Sequence, residues 1–551
     1  MKPVPARTAW RWHAAFASLV LIAAPLMVAF AWQHGLSTFN DDAFSYLTLA
    51  RWIEGDPLLT PWAWQHSHFP PLFPLLLVVT GGAHDLRIAH LAVAACAVPA
   101  LVAVYRFSGR TLASSAGALA VAALFVLAPT AWLGVKGILS EPLYLLLTFV
   151  ALDWHAARVD AGEVRMRDAV IFGLLLAAVC LTRTIGMTLV LAYVLHAGSR
   201  LIRERGRGLV ALLVPLVPPA LGVAAWRLVR PGSGSAYSDQ FREMLGHWLR
   251  DPPRLVHDGV TTFFHGWVSS FHAQTVTEPV PTAIFAAVLA LALAGAIART
   301  LRNRLDGWYV VVSVPLLVFW IFPMDTTRRL LYPLFPLLLL HAAFALRWLA
   351  SRAAVRRHSR LLFGGAFLLA AMLCVPAAVV LAHKARNDAP LAGTSFSYAD
   401  ILDYYLVVNE AKAEQDARVQ IAAFAGFERT ARETPPQSRV MWMRPEYVAL
   451  LARREPVAFE YRWDALQLAL ELAATRTDYL VLSEVYKVDR NIEMANPQAA
   501  FRDLARYGDP AIEVRLPGAD RVQFMLMKID RARLQAYIAE REAALNAARR
   551  R

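Results

Sequence analysis

The stretch Phe39-Asn40-Asp41-Asp42-Ala43-Phe44-Ser45-Tyr46 places two adjacent carboxylates directly after a long apolar run. Charge is costly at the mouth of a membrane span, so a doubled acid there invites a functional reading. Such a carboxylate can act as a general base toward a hydroxyl or amine, or hold a divalent cation. Either aspartate also suits a helix N-cap, accepting backbone N–H bonds. A further acid, Glu141, opens another apolar run at Ser140-Glu141-Pro142-Leu143. Cationic partners are at hand in Lys136, Arg183, Arg328 and Arg329. An arginine can grip a phosphate through two N–H groups and stabilise charge that develops on it as a leaving group. Each residue has a plain reading too. Glu141 can start a helix, Arg183 can cap a hairpin or snorkel, and Arg328 and Arg329 can anchor the interface. His66 and His68 suit ordinary hydrogen-bonded histidines, and Trp62 and Trp64 an interfacial belt.

The functional reading requires these groups to share one face of the membrane. The chain has 551 residues, 57% of them hydrophobic, and a net charge of +14. Apolar runs recur from residue 14 to residue 382, which marks a polytopic membrane protein without a removable signal peptide. Cys96, Cys180 and Cys374 lie inside those runs without disulfide or metal spacing, and read as small core residues.

Lys2, Arg7 and Arg11 precede the first span, 14–32, so the N-terminus is expected in the cytoplasm. The loop 33–86 then faces outward with the acidic pair. Within it, Phe69-Pro70-Pro71-Leu72-Phe73-Pro74 opens an apolar run ending near Gly81, too short for the roughly 20 residues a span needs. It reads as re-entrant. Spans then follow over 87–105, 111–131, 142–157, the hairpin 168–182 and 185–199, 208–226, 280–298, 307–322, 330–347 and 361–383. This gives about eleven spans, with the arginine clusters at inner ends as the positive-inside rule asks. The net positive charge is thus assigned to cytoplasmic ends, not to a nucleic-acid partner. The long loop 227–279 is placed outside, where its own arginines obey the rule less strictly. In this layout Asp41, Asp42, His66, His68, Lys136, Glu141, Arg183, Arg328 and Arg329 all face outward. Acids beside cations over a bundle open to lipid suit transfer of a sugar from a lipid phosphate.

After residue 384 charged residues become frequent. Short strands are expected at 440–443, 456–459, 479–482 and 522–527, with helices over 446–454, 464–475 and 498–507 and a charged helix over 530–551. The expected organisation is a transmembrane domain, 1–383, and an outer α/β domain, 384–551.

These motifs resemble those of the GT-C glycosyltransferases, specifically the protein O-mannosyltransferase and aminoarabinose-transferase-like superfamily. Asp41-Asp42-Ala43-Phe44-Ser45-Tyr46 resembles the acidic pair and amphipathic helix of the family's first outer loop. His68-Phe69-Pro70-Pro71-Leu72 resembles its His-x-Pro-Pro-Leu run, and Ser140-Glu141-Pro142-Leu143 stands where the family has a second acid. Arg329-Leu330-Leu331-Tyr332-Pro333-Leu334-Phe335-Pro336 is similar to its Arg-Tyr-x-x-Pro-x-x-Pro element, with altered spacing. No Glu-Lys pair precedes the Pro-Pro run, which departs from the aminoarabinose branch.

The resemblance implies a membrane enzyme using a polyprenyl-phosphate-linked sugar, with a glycolipid, polysaccharide or protein acceptor. Asp41 would be the catalytic base, and Asp42 and Glu141 would orient the acceptor or bind a metal. His68, Arg328, Arg329 and Tyr332 would bind substrate, and topology alone adds Lys136 and Arg183 to them. No cofactor is implied beyond a divalent cation that Asp42 and Glu141 could hold. A transporter or flippase of a lipid-linked sugar, and a non-catalytic envelope assembly protein, are the alternatives. A transporter would show paired repeats or charge at mid-membrane depth, and neither is found.

Overall fold

The computed structural model describes residues 6–32, 42–160, 165–203, 205, 209–232, 236–271, 279–320, 324–351, 364–372, 374–375, 379, 382, 410–459, 464–487 and 500–550. Asp41 lies outside them, and the expected span 361–383 is covered only in part. The chain divides into two compact units, Met1–His34 with Ser67–Arg386, and Gly35–His66 with Asn387–Arg551. The loop carrying Asp42 therefore groups with the C-terminal unit, whereas a single cut near residue 383 leaves it with the membrane helices.

The helices up to residue 350 are α1 (Ala6–Trp32), α2 (Asp42–Ile53), α3 (Leu72–Thr80), α4 (Leu86–Leu112), α5 (Ser115–Leu127), α6 (Pro129–Lys136), α7 (Glu141–Trp154), α8 (Met166–Thr182), α9 (Met187–Arg203), α10 (Leu209–Leu213), α11 (Val217–Val229), α12 (Ala236–Arg250), α13 (Pro252–Phe271), α14 (Pro279–Leu301), α15 (Leu305–Phe319), α16 (Met324–Leu331) and α17 (Phe335–Ala350). All but α2 belong to the first unit. Among the described residues, four helices are long and apolar enough to cross a membrane: Trp10–Trp32, Leu86–Leu112, Thr184–Arg203 and Pro279–Leu301. Counting α5 and α6 as one bent span makes five. Segments 214–229, 305–319 and 335–350 are shorter apolar helices.

Local chemistry sets the boundaries. Asp85 caps α4 by accepting the N–H groups of Arg87 and Ile88, and Ser114 caps α5 through Gly117 N–H. The nine residues of α3 fall short of a span, as the proline-rich run leads one to expect. The hairpin also forms, with Arg183 and the turn Thr184–Gly186 between α8 and α9.

Three expectations are corrected. The single span over 111–131 is two helices bent by 58°. Pro129 pushes Ala128 into an extended conformation, which ends α5 and starts α6. Lys136 consequently ends a helix and is buried, rather than lying in an outer loop. The span over 330–347 begins later, because the chain leaves α16 at Leu331, passes Pro333 and re-enters helix at Phe335. The segment read as the loop 227–279 contains α12 and α13, whose polar face breaks any long apolar run.

The second unit holds α2, a 3-10 turn Thr60–His66, α18 (Glu410–Glu433), β1 (Arg439–Trp442), β2 (Glu455–Ala458), α19 (Ala465–Ala474), β3 (Tyr479–Ser483), β4 (Gly508–Val514), β5 (Phe524–Ile529) and α20 (Arg531–Arg550). The sheet order is β2-β1-β3-β5-β4. Strands β2, β1 and β3 run parallel, while β5 is antiparallel to β3 and β4. One face packs Met441, Leu480 and Met527 against Leu468, Leu472 and Leu534. Trp442 and Phe524 meet the Phe427 ring edge-on.

The four expected strands form as β1, β2, β3 and β5. Strand β4 is additional: Gly508-Asp509-Pro510 disguises it, and the proline is accommodated because β4 is an edge strand with a register shift between Pro510 and Ile512. The helix expected over 446–454 is a turn, Pro445–Tyr447, running into a π-helical turn, Val448–Ala452. That expected over 498–507 includes the 3-10 turn Leu504–Arg506.

A β-carbon on Gly426 of α18 would stand 2.2 Å from the buried Phe524 ring. Gly426→Ala is expected to destabilise the second unit by about 1–3 kcal/mol, measured as faster native-state hydrogen exchange in β5.

Candidate functional site

In the first unit the site is built around Glu141. Pro142 favours a helix start here, so α7 begins at Glu141 and its carboxylate meets the positive end of the helix dipole. Glu141 is 1% exposed. Arg183 Nη1 lies 2.9 Å from Oε2, and Arg329 Nε donates to Oε1 at 3.0 Å. Arg183 Nη1 also donates to Ser140 Oγ at 3.1 Å. Arg183 reaches this point because α8 ends there in extended backbone, with φ −147° and ψ 139°. Arg329 comes from the last turn of α16, where the helix dipole favours a cation. Three segments distant in sequence thus converge on one buried carboxylate. A buried charge is tolerated only with such partners.

Two more of the cations are buried: Lys136 is 1% exposed and Arg328 3%. Lys136 closes α6, and α6 packs closely on the break between α16 and α17. Gly134 makes that approach possible, since a β-carbon there would lie 2.3 Å from the Tyr332 ring. Tyr332 is itself buried and meets Phe125 edge-on at 5.7 Å. His68 packs its ring against Phe69 at 4.3 Å.

Asp42 belongs to the second unit. Asp42 opens α2 with its side chain half-buried. Behind it, Phe44 stacks on Tyr447 with ring centroids 3.5 Å apart.

The surroundings of Glu141 do not fit a divalent cation, because both its oxygens face guanidinium groups and a metal ion would stand beside two fixed positive charges. Among the described residues, no group of three or more His, Cys, Asp and Glu side chains is arranged to hold a metal ion. The same arginines suit an anion: each guanidinium has five N–H donors in a planar fork matched to phosphate.

Ser140 and Gly134 are additional to the residues expected from the sequence. Their signals are a hydroxyl beside the acid and a glycine two residues before a buried lysine. A second buried ion pair in the first unit is likewise additional. There Asp306 receives two N–H bonds from Arg299, and His341 Nε2 lies 2.9 Å from Asp306 Oδ2. The signal is an arginine seven residues ahead of an acid, both flanking long apolar runs.

No protein-family model matches the chain, and no curated protein matches its sequence. Solved structures do match. ArnT from Cupriavidus metallidurans bound to undecaprenyl phosphate aligns over 94% of this chain and 97% of that one, at 14% identity and a TM-score of 0.53. The apo state of the same protein aligns over 96% and 99%, at 12% identity and 0.53. The Archaeoglobus fulgidus oligosaccharyltransferase tethered to an acceptor peptide aligns over 92% of this chain and 73% of that one, at 13% identity and 0.51. These likenesses establish the fold shared with those proteins: a bundle of apolar helices followed by a small mixed α/β domain.

Glu141→Gln leaves two guanidiniums beside a neutral amide. Loss of one partner from a buried charge cluster costs about 3–5 kcal/mol. The purified variant is expected to unfold at a clearly lower temperature than the wild type in a thermal melt in detergent.

Proposed function

We propose that this chain is a membrane glycosyltransferase that moves one sugar, a hexose or pentose, from polyprenyl phosphate to an acceptor outside the cytoplasm. The carrying observation is the Glu141 carboxylate shared by Arg183 and Arg329, in a fold shared with ArnT. In this reading Glu141 holds the two guanidiniums in place for the donor phosphate. Lys136 and Arg328 add positive charge to the same part of the unit, and Tyr332 and His68 contact the donor. Asp41 is the general base and Asp42 orients the acceptor.

The reaction is a displacement at the anomeric carbon. The acceptor oxygen or nitrogen forms a bond to C1 and gives its proton to Asp41. The bond from C1 to the phosphate oxygen breaks, and polyprenyl phosphate leaves carrying one more negative charge. The arginines stabilise that charge where it develops, so their effect is larger in the transition state than in the bound donor. A single displacement inverts the anomeric centre. The acceptor is a glycolipid, a polysaccharide or a protein. The enzyme sits in the plasma membrane as a multi-pass protein with its N-terminus in the cytoplasm and its C-terminal domain outside.

A flippase of the same donor would also need cations for the phosphate, but no base. The discriminating experiment uses proteoliposomes supplied with polyprenyl-phosphate sugars and a mixture of envelope acceptors, following release of polyprenyl phosphate. Asp41→Asn is expected to slow release by about 10²–10⁴-fold while the donor still binds. Arg183→Ala and Arg329→Ala are each expected to weaken donor binding about 10–100-fold, as loss of a charged hydrogen bond does. Undiminished release by a normally expressed Asp41→Asn variant would overturn the assignment of the base.

A further inference from the structure

The geometry points to a role for the C-terminal domain: through Asp56, Arg453 and Tyr447 it fixes α2, the helix that opens at Asp42, which makes these three positioning residues for the transfer. The inference rests on the proposed function of Asp41 and Asp42.

Helix α2 has twelve residues. Helices shorter than about 12–15 residues are marginal in isolation, so tertiary contacts must give α2 its stability and its direction. Those contacts grip both ends. At the start, the Phe44 ring lies nearly parallel to Tyr447, at 3.5 Å and 14°, with Phe424 of α18 at 6.4 Å. Phe44 is two residues beyond Asp42, so this stack sets the rotation of the first turn. At the far end the chain turns into Asp56, a buried carboxylate. Its Oδ2 accepts from Arg453 Nη1 at 2.7 Å and has Arg51 Nη1 at 3.5 Å, while Oδ1 accepts from Leu58 N–H at 3.0 Å. Burial works against ionisation of Asp56, but the Arg453 hydrogen bond, the Leu58 N–H and the two guanidinium charges outweigh it and hold the carboxyl below its usual range.

Both grips come from one connection. Tyr447 and Arg453 lie between β1 and β2, on either side of the π-helical turn Val448–Ala452. That connection leaves the carboxyl end of β1, the strand from which β2 and β3 depart to opposite sides. Open α/β sheets take their ligands at this end of such a strand. Here the chain's own α2 is held there. Two contacts, one at each end of a helix about 18 Å long, define its tilt and rotation together. Displacing a reacting group by about 1 Å can cost on the order of 10²-fold in rate.

The test compares wild type with Arg453→Ala, Arg453→Lys and Tyr447→Leu in full-length protein, reading hydrogen exchange over 42–53, donor binding and transfer rate. Arg453→Ala is expected to raise exchange in α2 and slow transfer about 10–100-fold, with donor binding held within about twofold. Arg453→Lys, which keeps the charge, is expected to recover part of the rate. Tyr447→Leu keeps bulk but loses the stack, and serves if Arg453→Ala fails to fold. Unchanged exchange in α2 overturns the inference. So does raised exchange with wild-type transfer, or an equal loss of donor binding. Absence of transfer by the wild type with every polyprenyl-phosphate sugar overturns the proposed function instead, and leaves exchange over 42–53 as the separate measure of the grip on α2.

Discussion

The first unit is constrained most by one buried negative charge. Glu141 cannot be solvated where it sits, so its cost is offset only if Arg183 and Arg329 reach it together. That requirement reaches through the unit. Helix α8 must stop at residue 182 so that Arg183 points to α7, and α16 must end near Leu331 so that Arg329 falls in its last turn. The chain must then turn at Pro333 before α17 begins. Gly134 must lack a side chain so that α6 can close against Tyr332 and bring Lys136 down with it. The breaks in these helices are the places where the helix pattern gives way to the placement of charge.

Much of this was legible in the sequence, for a physical reason. A charge beside an apolar run is expensive, so Glu141, Arg183 and Arg329 stand out without any structure, and the positive-inside rule puts them on one face. What escaped reading was the shape of the apolar segments. An apolar run of the right length reads as one span, whether or not a proline bends it, as at Pro129. An amphipathic segment such as α12 reads as loop because its apolar stripe is spread over a 3.6-residue period among charges. Strand β4 escaped because Gly508 and Pro510 carry turn chemistry that an edge strand tolerates. The grouping of residues 35–66 with the C-terminal unit could not be read at all. It depends on pairs such as Asp56 with Arg453, almost four hundred residues apart, and each residue alone is an ordinary charge in a polar segment.

Two sets of buried charge in the first unit are built on different plans. At Asp306 one carboxylate is matched by one guanidinium in a two-bond pair, and a histidine occupies the remaining approach. That arrangement closes on itself: charge is balanced within it, and its geometry ties α14, α15 and α17 together. At Glu141 one carboxylate is shared between two arginines, with Lys136 and Arg328 buried in α6 and α16. The first plan is what a membrane bundle needs to hold its helices.

The low identity to ArnT is consistent with this division. Apolar helix faces are chemically degenerate, and leucine, valine, alanine and phenylalanine can exchange while the bundle keeps its layout. Fold therefore persists at 12–14% identity over more than nine-tenths of the chain. Substrate choice does not follow from that persistence, because it depends on the few polar side chains that meet the sugar and the acceptor. In this chain the Pro-Pro run is preceded by Ser67, His68 and Phe69, and the acidic pair is Asp41-Asp42. A histidine ring packed on Phe69 presents a flatter, less charged surface than a Glu-Lys pair would. Under the proposed function the donor phosphate would then depend more heavily on the arginines of α16 and of the turn between α8 and α9.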